Sequence, residues 1–299
     1  MDKWLMLAIS MIACLIVTIL RKKYTEKLTG MVDVLAFNAV CSIVSVFVFL
    51  IFCGFGAVSY FTLILGIVFG AATAIACVTN LFAFQCGPMS YTTVIISFST
   101  LISALSGVMF FGESLSVTQI VGIALMLASF VLAVKSEKGE KGANLKWLLL
   151  SIASFLSVGG IGVMQKVHQS SEFREELDEF LIIAFISSTV LSLLFILAMK
   201  WLGRKGEKIK RELSKKDLCL IAGIMVVSGI AVAVNNQFNL YLSGVIDSAV
   251  FFPVVNGGGL VLATLAALLI FKEKLSLKQW IGILLGTLSV VLLCNPFGF

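Results

Sequence analysis

Long apolar runs separated by short polar connections occupy almost the whole chain. Taken at about 20 apolar residues per bilayer crossing, they predict ten spanning helices. The runs cover 4–20, 31–53, 61–85, 91–111, 117–134, 147–166, 180–199, 217–243, 247–271 and 277–294. They are continuous, whereas the strands of a transmembrane barrel are short and alternate apolar with polar. The expected fold class is therefore an all-α integral membrane protein with ten transmembrane helices and no separate soluble domain. The first run ends in Arg21, Lys22 and Lys23 without a small-residue cleavage site, so it reads as a retained helix rather than a signal peptide.

Composition sharpens this reading. Of 299 residues, 60% are apolar and 13% charged, where a soluble domain carries about 25% charged residues. The mean hydropathy is +1.09. One aqueous core cannot hide that much apolar surface, which excludes a soluble enzyme, a nucleic-acid binder and a disordered chain. The lipid bilayer is the expected partner, and nucleic acid is not. The seven cysteines (Cys14, Cys41, Cys53, Cys77, Cys86, Cys219, Cys294) form no CxxC, and His168 is the only histidine. They read as small apolar thiols, with no metal site and no cofactor expected.

The chain repeats itself. Residues 111–132, FGESLSVTQIVGIALMLASFVL, match 271–292, FKEKLSLKQWIGILLGTLSVVL, at an offset of 160, with 11 of 22 positions identical. The identities include Glu113/Glu273, Ser116/Ser276, Gln119/Gln279, Gly122/Gly282 and Ser129/Ser289, which hydrophobicity does not dictate. Asn80-Leu81-Phe82 matches Asn239-Leu240-Tyr241 more weakly. The expected organisation is a first five-helix repeat over 1–134, a linker over 135–146 and a second repeat over 147–299. Five crossings per repeat make the two copies inverted, an arrangement found in secondary transporters whose solute site lies near the bilayer midplane.

Ser116-x-x-Gln119 and Ser276-x-x-Gln279 have the spacing of capping boxes, serine hydroxyl to backbone N–H and glutamine side chain back to the cap. Glu113 and Glu273 precede them. They read as helix-end anchors, because a carboxylate is favourable at a helix N-terminus.

Basic residues divide unevenly between the two sides. Lys3, Lys166 and Arg174 share the side of the termini, and the other 19 lie opposite, eight of them between Lys200 and Lys216. The positive-inside rule then puts both termini outside.

The paired pattern of apolar helix, Glu-x-Leu-Ser-x-x-Gln, Gly-Ile and apolar helix, at Phe111–Gly122 and Phe271–Gly282, resembles the ten-helix branch of the drug/metabolite transporter superfamily, the EamA-type transporters. The resemblance spans the whole chain in span count and repeat layout. It implies a bundle with a central cavity, alternating access, and movement of small organic solutes. It also implies cytoplasmic termini, opposite to the charge count.

No Asp, Glu, Lys or Arg falls in the middle of a predicted span; Asp33, Asp247 and Lys166 lie at span ends. Intramembrane charges mark ion paths and proton relays, so their absence points to a neutral, zwitterionic or aromatic solute. The polar residues inside the spans are amides and hydroxyls. Asn235 and Asn239 share a face of the eighth span with Asn236 and Gln237 close by, and Asn80 is the repeat mate of Asn239. Thr93, Ser97 and Thr100 lie at helical spacing on the fourth span. The ninth holds Pro253, Asn256, Gly257, Gly258 and Gly259, a combination that can kink a helix and free its carbonyls. The expected substrate contacts are Asn80, Thr93, Ser97, Asn235, Asn239, Asn256, Gly257 and Gly258. The competing reading is hydrogen bonding between helices without a ligand. Gly66-x-x-x-Gly70 and Gly282-x-x-x-Gly286 suit close helix packing, within the chain or, for Gly282 and Gly286, in a homodimer. The expected function is a secondary transporter of a small organic solute in the cytoplasmic membrane and not an enzyme; a channel or a membrane-embedded enzyme is the alternative.

Overall fold

The ten apolar runs become eleven helices, because one run is interrupted. We describe the chain from a computed structural model over residues 2–25, 28, 30–133, 144–201, 214–270, 272 and 276–294. The helices are α1 (Lys3–Thr25), α2 (Met31–Phe52), α3 (Tyr60–Cys86), α4 (Met89–Ser97), α5 (Thr100–Phe110), α6 (Val117–Ala133), α7 (Leu145–Gln169), α8 (Leu177–Trp201), α9 (Lys215–Val245), α10 (Ser248–Leu269) and α11 (Leu277–Cys294). There is no strand among the described residues. With Tyr91–Phe110 taken as one span, nine are long and apolar enough to cross a bilayer, and Val117–Leu132 is a shorter apolar helix. The chain is an all-helical, multi-pass membrane protein. Several helices outrun their apolar runs because polar termini extend them: α1 continues through Arg21–Thr25, and α7 through Lys166–Gln169. Linker residues 134–143 and the loop 202–213 lie outside the described residues, as does Glu273.

Two compact units make up the chain, and each draws on both halves of the sequence. One comprises Met1–Leu7, Ile75–Ser170 and Leu240–Phe299, and the other Ala8–Ala74 and Ser171–Asn239.

In the second unit α2 packs along α8. The rings of Phe49 and Phe185 stack 6.0 Å apart, and Asn38 Nδ2 donates to Ser192 Oγ at 3.3 Å. Gly66 and Gly70 of α3 face Ile183, Ala184 and Ser187 of α8, so this glycine pair serves packing within the chain. A buried cluster of Tyr24, Phe37, Cys41, Ile221 and Ile224 joins α1, α2 and α9. Ser45 ties α2 to α9 by donating to the carbonyl of Gly229 at 2.9 Å.

In the first unit the tightest pair is α6 with α11. Ser129 Oγ donates to the carbonyl of Gly282 at 2.7 Å, and Ser289 Oγ to the carbonyl of Gly122 at 2.6 Å. Both capping boxes form. Ser116 N–H donates to Gln119 Oε1 at 2.9 Å and Gln119 N–H to Ser116 Oγ at 3.2 Å; the Ser276/Gln279 pair repeats this at 2.9 and 3.4 Å. Gly286 faces Ser129 and Val261, and both Gly282 and Gly286 are buried, so this stripe is covered from within the chain. The start of α7 is pinned by Asn144, which accepts from Trp147 N–H at 2.9 Å and donates to the Cys86 carbonyl at 2.6 Å.

Candidate functional site

The interruption lies where the fourth span was expected to run unbroken from 91 to 111. Helix α4 stops at Ser97 and α5 starts at Thr100. Between them the backbone tightens to i→i−3 bonding: Ser99 N–H reaches the Ile96 carbonyl at 3.0 Å, Leu101 N–H that of Phe98 at 2.9 Å, and Ile102 N–H that of Ser99 at 3.0 Å. Ser97 Oγ turns back onto the Thr93 carbonyl at 2.9 Å, a bond that Ser45, Thr73, Thr189 and Thr264 also make within unbroken helices. A short 3₁₀ stretch in mid-helix marks a place where a span can flex.

The ninth span shows the converse. Despite Pro253 and three glycines it forms one continuous helix, α10. Pro253 stands in its second turn, where it has no N–H to give to the Ala249 carbonyl, and the helix runs on through it. The glycines do different things. A Cβ on Gly257 would run into the side chain of Met126 on α6, and one on Gly259 would meet open space. Gly257 and Gly258 are buried, so Gly257 is a close-approach residue between α10 and α6.

Asn256 connects the two features. Its Nδ2 donates to Thr100 Oγ1 at 3.0 Å, directly at the break, while the residue itself is exposed. An exposed amide part way along a spanning helix is costly against lipid and cheap beside water or a polar ligand. Asn80 lies in the same unit, and its Oδ1 is buried without a hydrogen-bond partner.

Asn235 and Asn239 belong to the other unit. Asn235 Nδ2 donates to the carbonyl and hydroxyl of Ser10 at 2.9 and 3.0 Å, Ser10 Oγ donates to Asn239 Oδ1 at 2.6 Å, and Asn239 Nδ2 reaches Asn235 Oδ1 at 3.3 Å. Ser10 is fully buried. These amides clasp α1 to α9. Asn236 donates back to its own helix at Val232, and Gln237 Nε2 donates to Asp178 Oδ1 at 2.6 Å. Sequence spacing alone did not reveal Ser10 as the shared partner, since a lone serine in an apolar run carries no distinguishing signal.

A second polar cluster lies at the end of α7. Glu113 Oε1 and Lys166 Nζ form an ion pair at 2.6 Å, with side chains 7% and 9% exposed. Glu113 also accepts from the backbone N–H of Ser248 at 2.7 Å and from its hydroxyl at 3.1 Å. Glu113 is thus a helix anchor as expected, but for α10 rather than for the helix that follows it. Gly112, at φ +68, turns the chain back, and Gly107 leaves the room that the carboxylate fills. Asp247, placed by sequence at that same helix start, makes no capping bond with its side chain. Among the described residues no three His, Cys, Asp or Glu side chains gather as a metal site.

No protein-family model matches the chain. It is similar to an uncharacterised protein of Haemophilus influenzae, 23% identical over 199 residues that cover 64% of this chain and 62% of that protein. The chain thus spans less than two thirds of that relative's length. Its fold is also similar to a protein solved by crystallography, with a TM-score of 0.71 over 97% of this chain and 98% of the other at 14% identity. At that identity the likeness concerns fold alone.

Proposed function

We propose that the chain is a secondary transporter of a small organic solute, working by alternating access between two inverted five-helix repeats, as EamA-type drug/metabolite transporters do. The observation that carries this reading is the reciprocal bonding of α6 and α11. Ser129 to Gly282 and Ser289 to Gly122 are the same bond with the partners exchanged at the repeat offset of 160, which is what a twofold relation between the copies requires. The turns before these helices agree, since Gly112 and Lys272, again 160 apart, both take a positive φ, +68 and +52. Inverted repeats supply two equivalent states of one bundle, the element that alternating access needs.

The solute contacts we favour are Asn256 and Thr100 at the broken span, with Thr93, Ser97, Asn80 and the Gly257–Gly259 backbone as further candidates. Asn235 and Asn239 contribute only if their bonds to Ser10 open. Lys166 is neutralised by Glu113, so a neutral, zwitterionic or aromatic solute remains the best match. We place both termini outside and the 19-residue basic majority at the cytoplasm. Counterflow in liposomes is the test. Saturable uptake accelerated by solute on the opposite side is expected; uptake linear in concentration with no trans effect points to a channel, and chemical conversion of the solute to an enzyme.

A further inference from the structure

The last turns of α1 and the first of α9 leave a groove between them within the second unit. It is lined by Leu20, Leu220, Gly223, Ile224 and Val227, with Cys219 also on its wall and Lys216 at one end, and its volume is about 480 Å³. Ile224 is buried and belongs to the cluster of Tyr24, Phe37, Cys41 and Ile221, against which Leu20 also packs. The groove therefore has a fixed bed. Gly223 keeps it open, since a Cβ there meets nothing within 4 Å.

Its dimensions and charge identify an occupant. Eleven helical steps lead from Lys216 to Val227, a rise of about 16 Å, which is roughly half the ~30 Å hydrocarbon core. The groove thus runs about the length of one leaflet along α9, apolar on its walls and with Lys216 at one end. Lys215 adjoins Lys216 at the start of α9, with Asp217 as the one acid in that turn, and Lys23 stands in the last turn of α1. A basic cluster at the end of an apolar inter-helix cleft suits a lipid of net negative headgroup charge. A soluble solute would find too few polar groups here, because the lysine and the thiol are the only polar side chains in the lining. We propose that this groove binds one anionic phospholipid, an acyl chain lying over Gly223 and Ile224 and the phosphate on Lys216. The inference needs only a membrane-embedded chain and is independent of the transport reading.

The test uses delipidated protein in detergent, given phosphatidylglycerol or phosphatidylcholine with identical chains and read by native mass spectrometry. Wild type is expected to keep a phosphatidylglycerol adduct at higher occupancy than phosphatidylcholine. Lys216→Gln is expected to lower phosphatidylglycerol affinity about five-fold while leaving phosphatidylcholine unchanged. Gly223→Phe, with its ring in the groove, is expected to lose both. No headgroup preference in wild type, an undiminished preference in Lys216→Gln, or a wild-type adduct on folded Gly223→Phe each overturns the proposal. If Gly223→Phe does not fold, Lys216→Gln, an exposed change, decides by itself.

Discussion

Glu113 and Lys166 meet at 2.6 Å in a nearly water-free setting, and the carboxylate at the same time holds the first backbone N–H of α10 through Ser248. One side chain therefore joins the turn after α5, the end of α7 and the start of α10. Lys166 also stands 5.9 Å from the ring of Phe111, and its place in the last turn of α7 suits the helix dipole.

Removing one partner leaves the other charge buried and unpaired. Lys166→Met is expected to destabilise the folded protein by about 3–5 kcal/mol. The double variant Glu113→Gln with Lys166→Met should recover part of that loss, because no lone charge remains. Unfolding in SDS titrations measures both. Equal stability of the single and double variants would show that the pair is not coupled.

The glycines of α10 give a paired contrast. Gly257→Ala drives a methyl into Met126 and is expected to cost about 1–3 kcal/mol. Gly259→Ala enters open space and gains helix propensity, so it should be neutral or stabilising by up to about 1 kcal/mol. The same unfolding assay reads both, and the reverse order would mean that α10 is rotated relative to α6.

The amides should separate by phenotype. Asn256→Ala is expected to lower solute affinity by about 2- to 13-fold, the worth of one hydrogen bond, with little change in yield. Asn235→Ala and Asn239→Ala break the clasp on Ser10 and should lower stability first. Binding and folded yield are measured on each variant once a solute has been found by thermal-shift screening, since a bound ligand raises apparent stability. Normal binding by Asn256→Ala moves the site away from the broken span.

The proposed sidedness rests on the basic residues between Lys200 and Lys216. A cysteine in place of Gly206, in a background without native thiols, is expected to resist an impermeant maleimide in intact cells. Rapid labelling there would reverse the orientation and leave the helices as they are.

Much of this fold was legible from hydropathy. The ten runs become helices whose ends shift by only a few residues, and both Ser-x-x-Gln motifs form their caps, since capping depends on residues three apart on one strand of chain. The interruption at Ser97–Thr100 was not legible, because the run passes through 97–100 with no proline or glycine to mark it. Nor was the reach of Glu113 to Ser248, 135 residues away, where local spacing favoured the helix next to it. Pro253 and the glycines suggested an irregular ninth span, yet the helix continues through the proline and packing on Met126 employs Gly257. The Asn235/Asn239 pair was visible as polar, but its purpose depended on Ser10, 225 residues away from Asn235.

The interleaving of the sequence halves in both units has a bearing on biogenesis. Helix α2 enters the membrane well before α8, its packing partner, has been made, and α6 precedes α11 by a whole repeat. During that interval the Ser129 hydroxyl has no access to Gly282, which lies 153 residues further on. A nascent first half must therefore hold faces designed for protein against lipid, with their hydrogen-bonding groups turned to their own helices or to the translocation machinery. The unit of Ala8–Ala74 and Ser171–Asn239 can close once Asn239 has been made, and the other only when the last helices follow. Truncation beyond Asn239 would thus strike the unit that needs Leu240–Phe299, while every residue of the other is already made.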